Sequence, residues 1–190
     1  MAVINFFIQD WIEFADKHNG SVKQTKTGLS PVGFGMSVWK KVYLKIPYSN
    51  SEIVFMTGEA TRMEIFYDFK KDIHLNFLIY PEDYLDKVEK FFHLIKEVYI
   101  EDKVFDKKYF IKSDDENLMN TLLSDDIKEF LLKHRTYISN YKLELKNNST
   151  VLEFNAPFHE NNIHHMENVL SFMKKSIDNI LFYLKQNPIQ

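Results

Sequence analysis

The cluster His159-Glu160-Asn161-Asn162-Ile163-His164-His165-Met166-Glu167 carries the residue types that a metal-assisted hydrolase would need. Zinc hydrolases set two histidines four residues apart on one helix, with a glutamate between them as base. Here His159 and His164 are five apart, which turns the rings to different faces of a helix. His164 with Glu160 or Glu167 is better placed but supplies two ligands, so His134 or His74 would have to complete a site. The plainer use of these residues is a solvated helix start, and His159, His164 and Glu167 are carried as metal candidates only. With no cysteine in the chain, disulfides, thiolate zinc sites and cysteine nucleophiles are excluded. No G-x-S-x-G elbow announces a serine nucleophile. No cofactor is implied.

Acidic pairs are a second place to look for chemistry. Between Val98 and Leu132 stand Asp102, Asp106, Asp114-Asp115 and Asp125-Asp126. Ser113 followed three residues later by Glu116 has the form of a capping box, and Asp114 and Asp115 suit the positive end of the helix dipole. Ser124 leads Asp125 and Asp126 in the same way. Capping therefore accounts for the doublets. The expected role of Asp106 is to bond backbone amides in the bend before a strand.

The run Phe105-Asp106-Lys107-Lys108-Tyr109-Phe110-Ile111-Lys112, followed by a polar turn and a Leu-Leu helix, resembles an uncharacterised bacterial module. In that module a strand reads Phe-Asp, two residues, an aromatic and a hydrophobic residue, and a short helix follows. The resemblance spans residues 60 to 155. The glycine that often precedes the acidic residue before Phe-Asp is missing here, where the chain reads Tyr99-Ile100-Glu101-Asp102. What the resemblance implies is a fold, with no activity attached.

A third candidate is Trp39-Lys41-Tyr43-Lys45, which interleaves aromatic and basic residues on one exposed strand face. Single-stranded nucleic-acid binders stack bases on such rings and follow phosphates with the lysines. Arg62, Glu64 and Asp68 on the corresponding face of a later strand could pair with those lysines instead. A net charge of −3 and a pI near 6.2 do not suit a binder of duplex nucleic acid.

The elements that must position these residues follow from periodicity. Residues 2 to 18 read as a helix, with Ile4, Phe7, Ile8, Trp11, Phe14 and Ala15 at helical spacing and Asn19-Gly20 as its stop. Gly20 to Gly35 holds four of the five glycines, and Ser30-Pro31-Val32-Gly33-Phe34-Gly35 is expected to be a mobile loop. It is no phosphate cradle, since a strand rather than a helix follows. From Ser37 to Tyr80 four strands are expected as an antiparallel meander, the fourth running Ile73, Leu75, Phe77, Ile79. Val98-Ile100 and Tyr109-Ile111 read as a strand pair. Pro81 is expected to start a helix with Leu85, Val88, Phe91, Phe92 and Ile95 on its buried stripe. A hairpin pairs Tyr141, Leu143 and Leu145 with Leu152, Phe154 and Ala156 around Asn147-Asn148-Ser149-Thr150. A last helix over 161–186, about 39 Å long, carries Met166, Leu170, Met173, Ile177, Ile180 and Leu184 in steps of four and three. That seam packs on the sheet or offers a dimer contact.

The fold expectation is therefore α+β over 1–190 as a single domain: an antiparallel sheet of meander and hairpins, packed by helices and closed by a long C-terminal amphipathic helix. The first residues have no basic region ahead of their apolar ones, so no signal peptide is read there, and no apolar run reaches the length needed to span a bilayer. A cytoplasmic location follows as the expectation. The leading functional reading is a non-enzymatic interaction or scaffold protein with an unknown protein partner, possible also as a homodimer through the last helix. Its 17 Phe and 10 Tyr admit a small apolar-ligand binder as the alternative. A metal-assisted hydrolase is third.

Overall fold

Alternation of apolar and polar residues along strands, and a period near 3.6 along helices, decide this fold. A computed structural model describes residues 2–32, 35–58, 61–82, 97–135, 138, 140–156 and 163–188. The elements are α1 (Ala2–Lys17), β1 (Ser21–Val32), β2 (Gly35–Tyr48), β3 (Ser51–Gly58), β4 (Thr61–Asp68), β5 (Phe77–Pro81), α2 (Lys103–Asp106), β6 (Tyr109–Ser113), α3 (Glu116–Leu122), α4 (Asp125–Lys133), β7 (Asn140–Lys146), β8 (Ser149–Ala156) and α5 (Ile163–Gln186). The class is α+β, as the periodicity indicates. All eight strands join one antiparallel open sheet in the order β1-β2-β3-β4-β8-β7-β5-β6.

That order corrects the expected four-stranded meander, which holds only from β2 to β4. The β7–β8 hairpin takes the place beside β4, so Ile65 faces Phe154 and Tyr67 faces Leu152. Residues 69–76 leave the ladder and are tied to the hairpin turn instead. The Phe69 amide donates to the Thr150 carbonyl, the Thr150 amide to the Lys71 carbonyl, and the Ile73 amide to Thr150 Oγ1. Lys70 and His74 both take positive φ, 61° and 51°, which breaks the strand on either side of Ile73. The fourth strand therefore begins at Phe77 rather than Ile73. Thr150, 1 % exposed, is buried because it bonds three backbone groups that would otherwise lack partners.

The expected loop between Gly20 and Gly35 is also corrected: its described residues are strand, paired as a long hairpin with Pro31 on the edge strand, where its missing amide costs no ladder bond. Gly33 and Phe34 lie outside the described residues, as does 83–96, where the helix after Pro81 was expected. Pro81 itself ends β5. Of the expected strand pair, only β6 is a strand; residues 97–100 lie beside it, with the Val98 amide donating to the Ile111 carbonyl at 2.9 Å.

At the end of α1, Asn19 and not Gly20 takes the left-handed conformation, φ 54°. Glycine is required at position 20 for a different reason. A Cβ there would stand 2.4 Å from the Lys45 carbonyl oxygen and 2.7 Å from Ile46 Cδ1. The β7–β8 turn is tighter than expected: Asn147 and Asn148 alone close it, at φ 50° and 66°, the positive pair of a type I′ hairpin.

One sheet face is dry. Leu44, Ile53, Phe55, Ile65, Phe154 and Ile79 are all fully buried on it. The Phe14 ring of α1 meets Phe55 edge-on at 6.2 Å, and Phe172 of α5 lies 4.9 Å from Phe154 and 5.1 Å from Tyr141. Burying each such ring stabilises the fold by about 1.5–3 kcal/mol. α3 lies under α5, with Leu118, Met119 and Leu122 buried. The Tyr183 hydroxyl donating to the half-buried Asp115 carboxylate and the Asn179 amide donating to the Leu122 carbonyl (3.0 Å) tie the two helices.

Candidate functional site

The acids that drew attention in sequence are structural. Asp102 is the N-cap of α2: its carboxylate accepts from the Val104 and Phe105 amides, both at 3.1 Å, and pairs with Lys128 of α4 at 3.1 Å. The Phe105 amide and the Lys128 ammonium hold its carboxyl below the ordinary carboxylate range. Asp106 accepts from the Ile100 amide at 3.3 Å, the bend-stabilising role expected of it. Phe105 stacks on Tyr109 at 4.8 Å, and the Tyr109 hydroxyl donates to the Leu131 carbonyl at 2.6 Å. The Phe-Asp stretch thus clamps β6 to α4.

The expected capping box is shifted by two residues. Asp115 is the N-cap of α3, accepting from the Leu118 amide, while Ser113 Oγ accepts from the Asp115 amide. An aspartate reaches the same free amide and can also take the Tyr183 hydroxyl, which raises that phenol to about 12. Ser124 does stand at the N-cap of α4 but makes no side-chain cap bond there; Asn179 Nδ2 reaches its oxygen at 3.3 Å.

Of the metal candidates, Glu167 faces α1, accepting from Lys17 Nζ at 2.6 Å and lying 3.0 Å from His18 Nε2. Burial raises its carboxyl, but the bonds from Lys17 and His18 outweigh that and hold it below its usual value. His159 and the side chain of His164 lie outside the described residues. His74 sits beside Asp72 at 3.1 Å. Among the described residues, no three His, Asp or Glu side chains converge as a metal set would.

The seam of the last helix faces inward. Met166, Leu170, Met173, Ile177 and Ile180 are each 2 % exposed or less, and Leu184 is partly buried against the same core. Phe182, 54 % exposed, is the large apolar residue of α5 that faces outward.

On the opposite sheet face, Lys41, Tyr43 and Lys45 are half-buried. Lys45 pairs with Glu52 at 2.7 Å rather than with the acids of β4, and Lys41 Nζ lies 3.9 Å from Met56 Sδ. Asp68 is engaged by Ser149 and Lys70. The Trp39 backbone pairs with Gly28; its side chain is outside the described set.

A site that the sequence reading missed lies between α4 and α5. Ile127, Phe130 and His134 repeat along α4, and Asn168, Ser171, Phe172 and Lys175 along α5, so each helix turns one stripe toward a cleft of about 290 Å³. Its floor is Phe130, half-buried and stacked on Phe172 with centroids 4.3 Å apart. His134 rests on Phe130 at 4.7 Å and on His165 at 5.2 Å. Burial, with Lys133 nearby, pushes the His134 imidazole below its usual value, favouring the neutral ring. Asp126 and Lys175 face each other across one rim at 3.7 Å. The arrangement offers an apolar floor, a neutral imidazole and a mixed-charge rim.

No family model matches the chain, and no curated protein matches its sequence. Among solved structures it is similar to the crystal structure of the mycobacterial trehalose monomycolate transport factor A, TtfA, with a TM-score of 0.54 and 9 % identity, over 92 % of this chain and 94 % of that one. At that identity the likeness is one of fold. No helix among the described residues is long and apolar enough to cross a membrane.

The cleft was hard to see in sequence because Asp126, Glu129, Lys133 and Lys175 read as an ordinary solvated helix surface. The signal was present in Phe130 and Phe172, which belong to two helices whose mutual packing only the fold supplies.

Proposed function

We propose that this chain is a non-enzymatic interaction protein of the cytoplasm, and that the α4–α5 cleft receives an apolar group presented by its partner. The observation that carries this reading is the half-buried Phe130 ring at the cleft floor, stacked on the core residue Phe172. That a similar architecture serves a protein described as a transport factor accords with a non-enzymatic role. Among the described residues, rings of the aromatic content that raised the apolar-ligand alternative pack on one another, Phe172 against Phe130, Tyr141 and Phe154.

A fluorescent apolar anion, anilinonaphthalene sulfonate, serves as a stand-in for the partner's apolar group. Its emission should rise on binding the wild-type protein and fall at least tenfold in Ser171→Trp, which fills the cleft from an exposed position. Unchanged emission in that variant would remove the cleft from the account.

A second reading, homodimerisation through α5, draws on the exposed Phe182. Phe182→Asp would then convert a dimer to a monomer in sedimentation equilibrium without lowering the melting temperature. A wild-type monomer at high concentration would dispose of it.

A further inference from the structure

α4 and α5 run antiparallel along the cleft, since Asp126 meets Lys175 at one end and His134 meets His165 at the other. The two imidazoles stand edge to face with 5.2 Å between centroids, and both are half-buried. His134 also rests on Phe130, the ring at the cleft floor, at 4.7 Å. A group seated on Phe130 therefore takes water away from His134 as well.

The charges around this pair are unevenly placed. Lys133 adjoins His134 on α4. The acids of that helix that line the cleft lie farther back, Glu129 by about 7.5 Å and Asp126 by about 12 Å of axial rise, and Asp126 is turned to Lys175. On α5, Glu167 is turned away to Lys17 and His18 of α1. One feature favours a proton: His134 is the C-cap of α4, where free carbonyls attract a cation. Burial and then Lys133 oppose it and keep the ring neutral to lower pH than an ordinary histidine. At this separation a proton on one ring disfavours a proton on the other, so the two titrate as a unit.

We propose that the His134–His165 pair makes the cleft pH-sensitive: it holds an apolar group while both rings are neutral and releases that group when the pair takes a proton. This rests on the cleft being a binding site, and adds what controls it. Filling the cleft desolvates His134 and so favours its neutral form. Affinity is therefore complete above the pH at which the pair titrates in the empty cleft. It falls as the pH drops below that point, by at most about tenfold per pH unit for one proton. Histidine is the side chain whose charge changes near neutral pH, so the switch operates under mild acid.

The test uses the full chain and Nile red, an uncharged dye that brightens in apolar surroundings and whose own charge does not change in this range. Its Kd should rise about tenfold between pH ~7.5 and pH ~5.5 with the circular dichroism unchanged. In the double variant His134→Gln/His165→Gln, whatever its affinity at neutral pH, that ratio should fall below about twofold. The His134 ring resonance, assigned by its absence from the His134→Gln spectrum, should titrate at lower pH with dye bound than without. A histidine with only a structural role would show no such shift. If the fold gives way before pH ~5.5, this resonance decides, because its upper limb is read above that point. Binding that Ser171→Trp abolishes but that does not change with pH would overturn the switch and leave the cleft standing. An undiminished pH response in the double variant would remove the histidine pair. Dye binding indifferent to Ser171→Trp would overturn the cleft and the switch together.

Discussion

Asp102 shows how a residue that looks chemical can be structural. Its carboxylate closes two amides at the start of α2 and holds Lys128, so Asp102→Ala should cost about 1–2 kcal/mol. Asp102→Asn, an equally good cap, should cost less, because only the ion pair is lost. The folded carboxyl titrates below its unfolded value, so its contribution is complete above that value, near pH 4, and is lost as the pH falls through the lower folded one. The stability gap between wild type and Asp102→Asn in urea titrations should therefore be constant from neutral pH to about 5 and close below about 4. Gly20 is a second case. Gly20→Ala should destabilise by about 1–3 kcal/mol in thermal melts, through overlap with the Lys45 carbonyl. The Asn19-Gly20 stop was legible, but the division of labour between the two residues was not. A sequence shows that a left-handed position is needed, and only the approach of β2 shows which residue must lack a Cβ.

Among the elements, α5 carries the clearest sequence signal and the most ambiguous one. Steps of four and three announce a stripe, yet a core-facing helix and a dimer seam share that period. The sheet decides the matter by burying Leu170 and Ile177 against it. Ile177→Asp should thus cost on the order of 4 kcal/mol or more in denaturant titration, unfolding the chain rather than dissociating a dimer. Phe182→Asp, on the outer face, should stay within about 0.5 kcal/mol of wild type. The β7–β8 hairpin was legible because its strands are adjacent and its turn is Asn-Asn. The β4–β8 pairing was not, since it joins segments more than eighty residues apart and depends on Thr150 capturing residues 69–73.

At the scale of the whole molecule, helices cover one face of an open sheet. The α4–α5 cleft belongs to the helical layer, and the β1–β2 hairpin forms one edge of the sheet. Composition indicated a near-neutral chain; that the five lysines between Ser21 and Ser51, with no Asp or Glu among them, belong together emerges only when the long hairpin is recognised as one unit. The mass of the native protein separates the interaction reading from the apolar-ligand reading. Freshly purified protein in native mass spectrometry, compared with its denatured mass, should give the bare chain or whole-number multiples of it. A small-molecule or metal excess that disappears on denaturation would contradict the interaction reading and make the cleft a ligand or metal site.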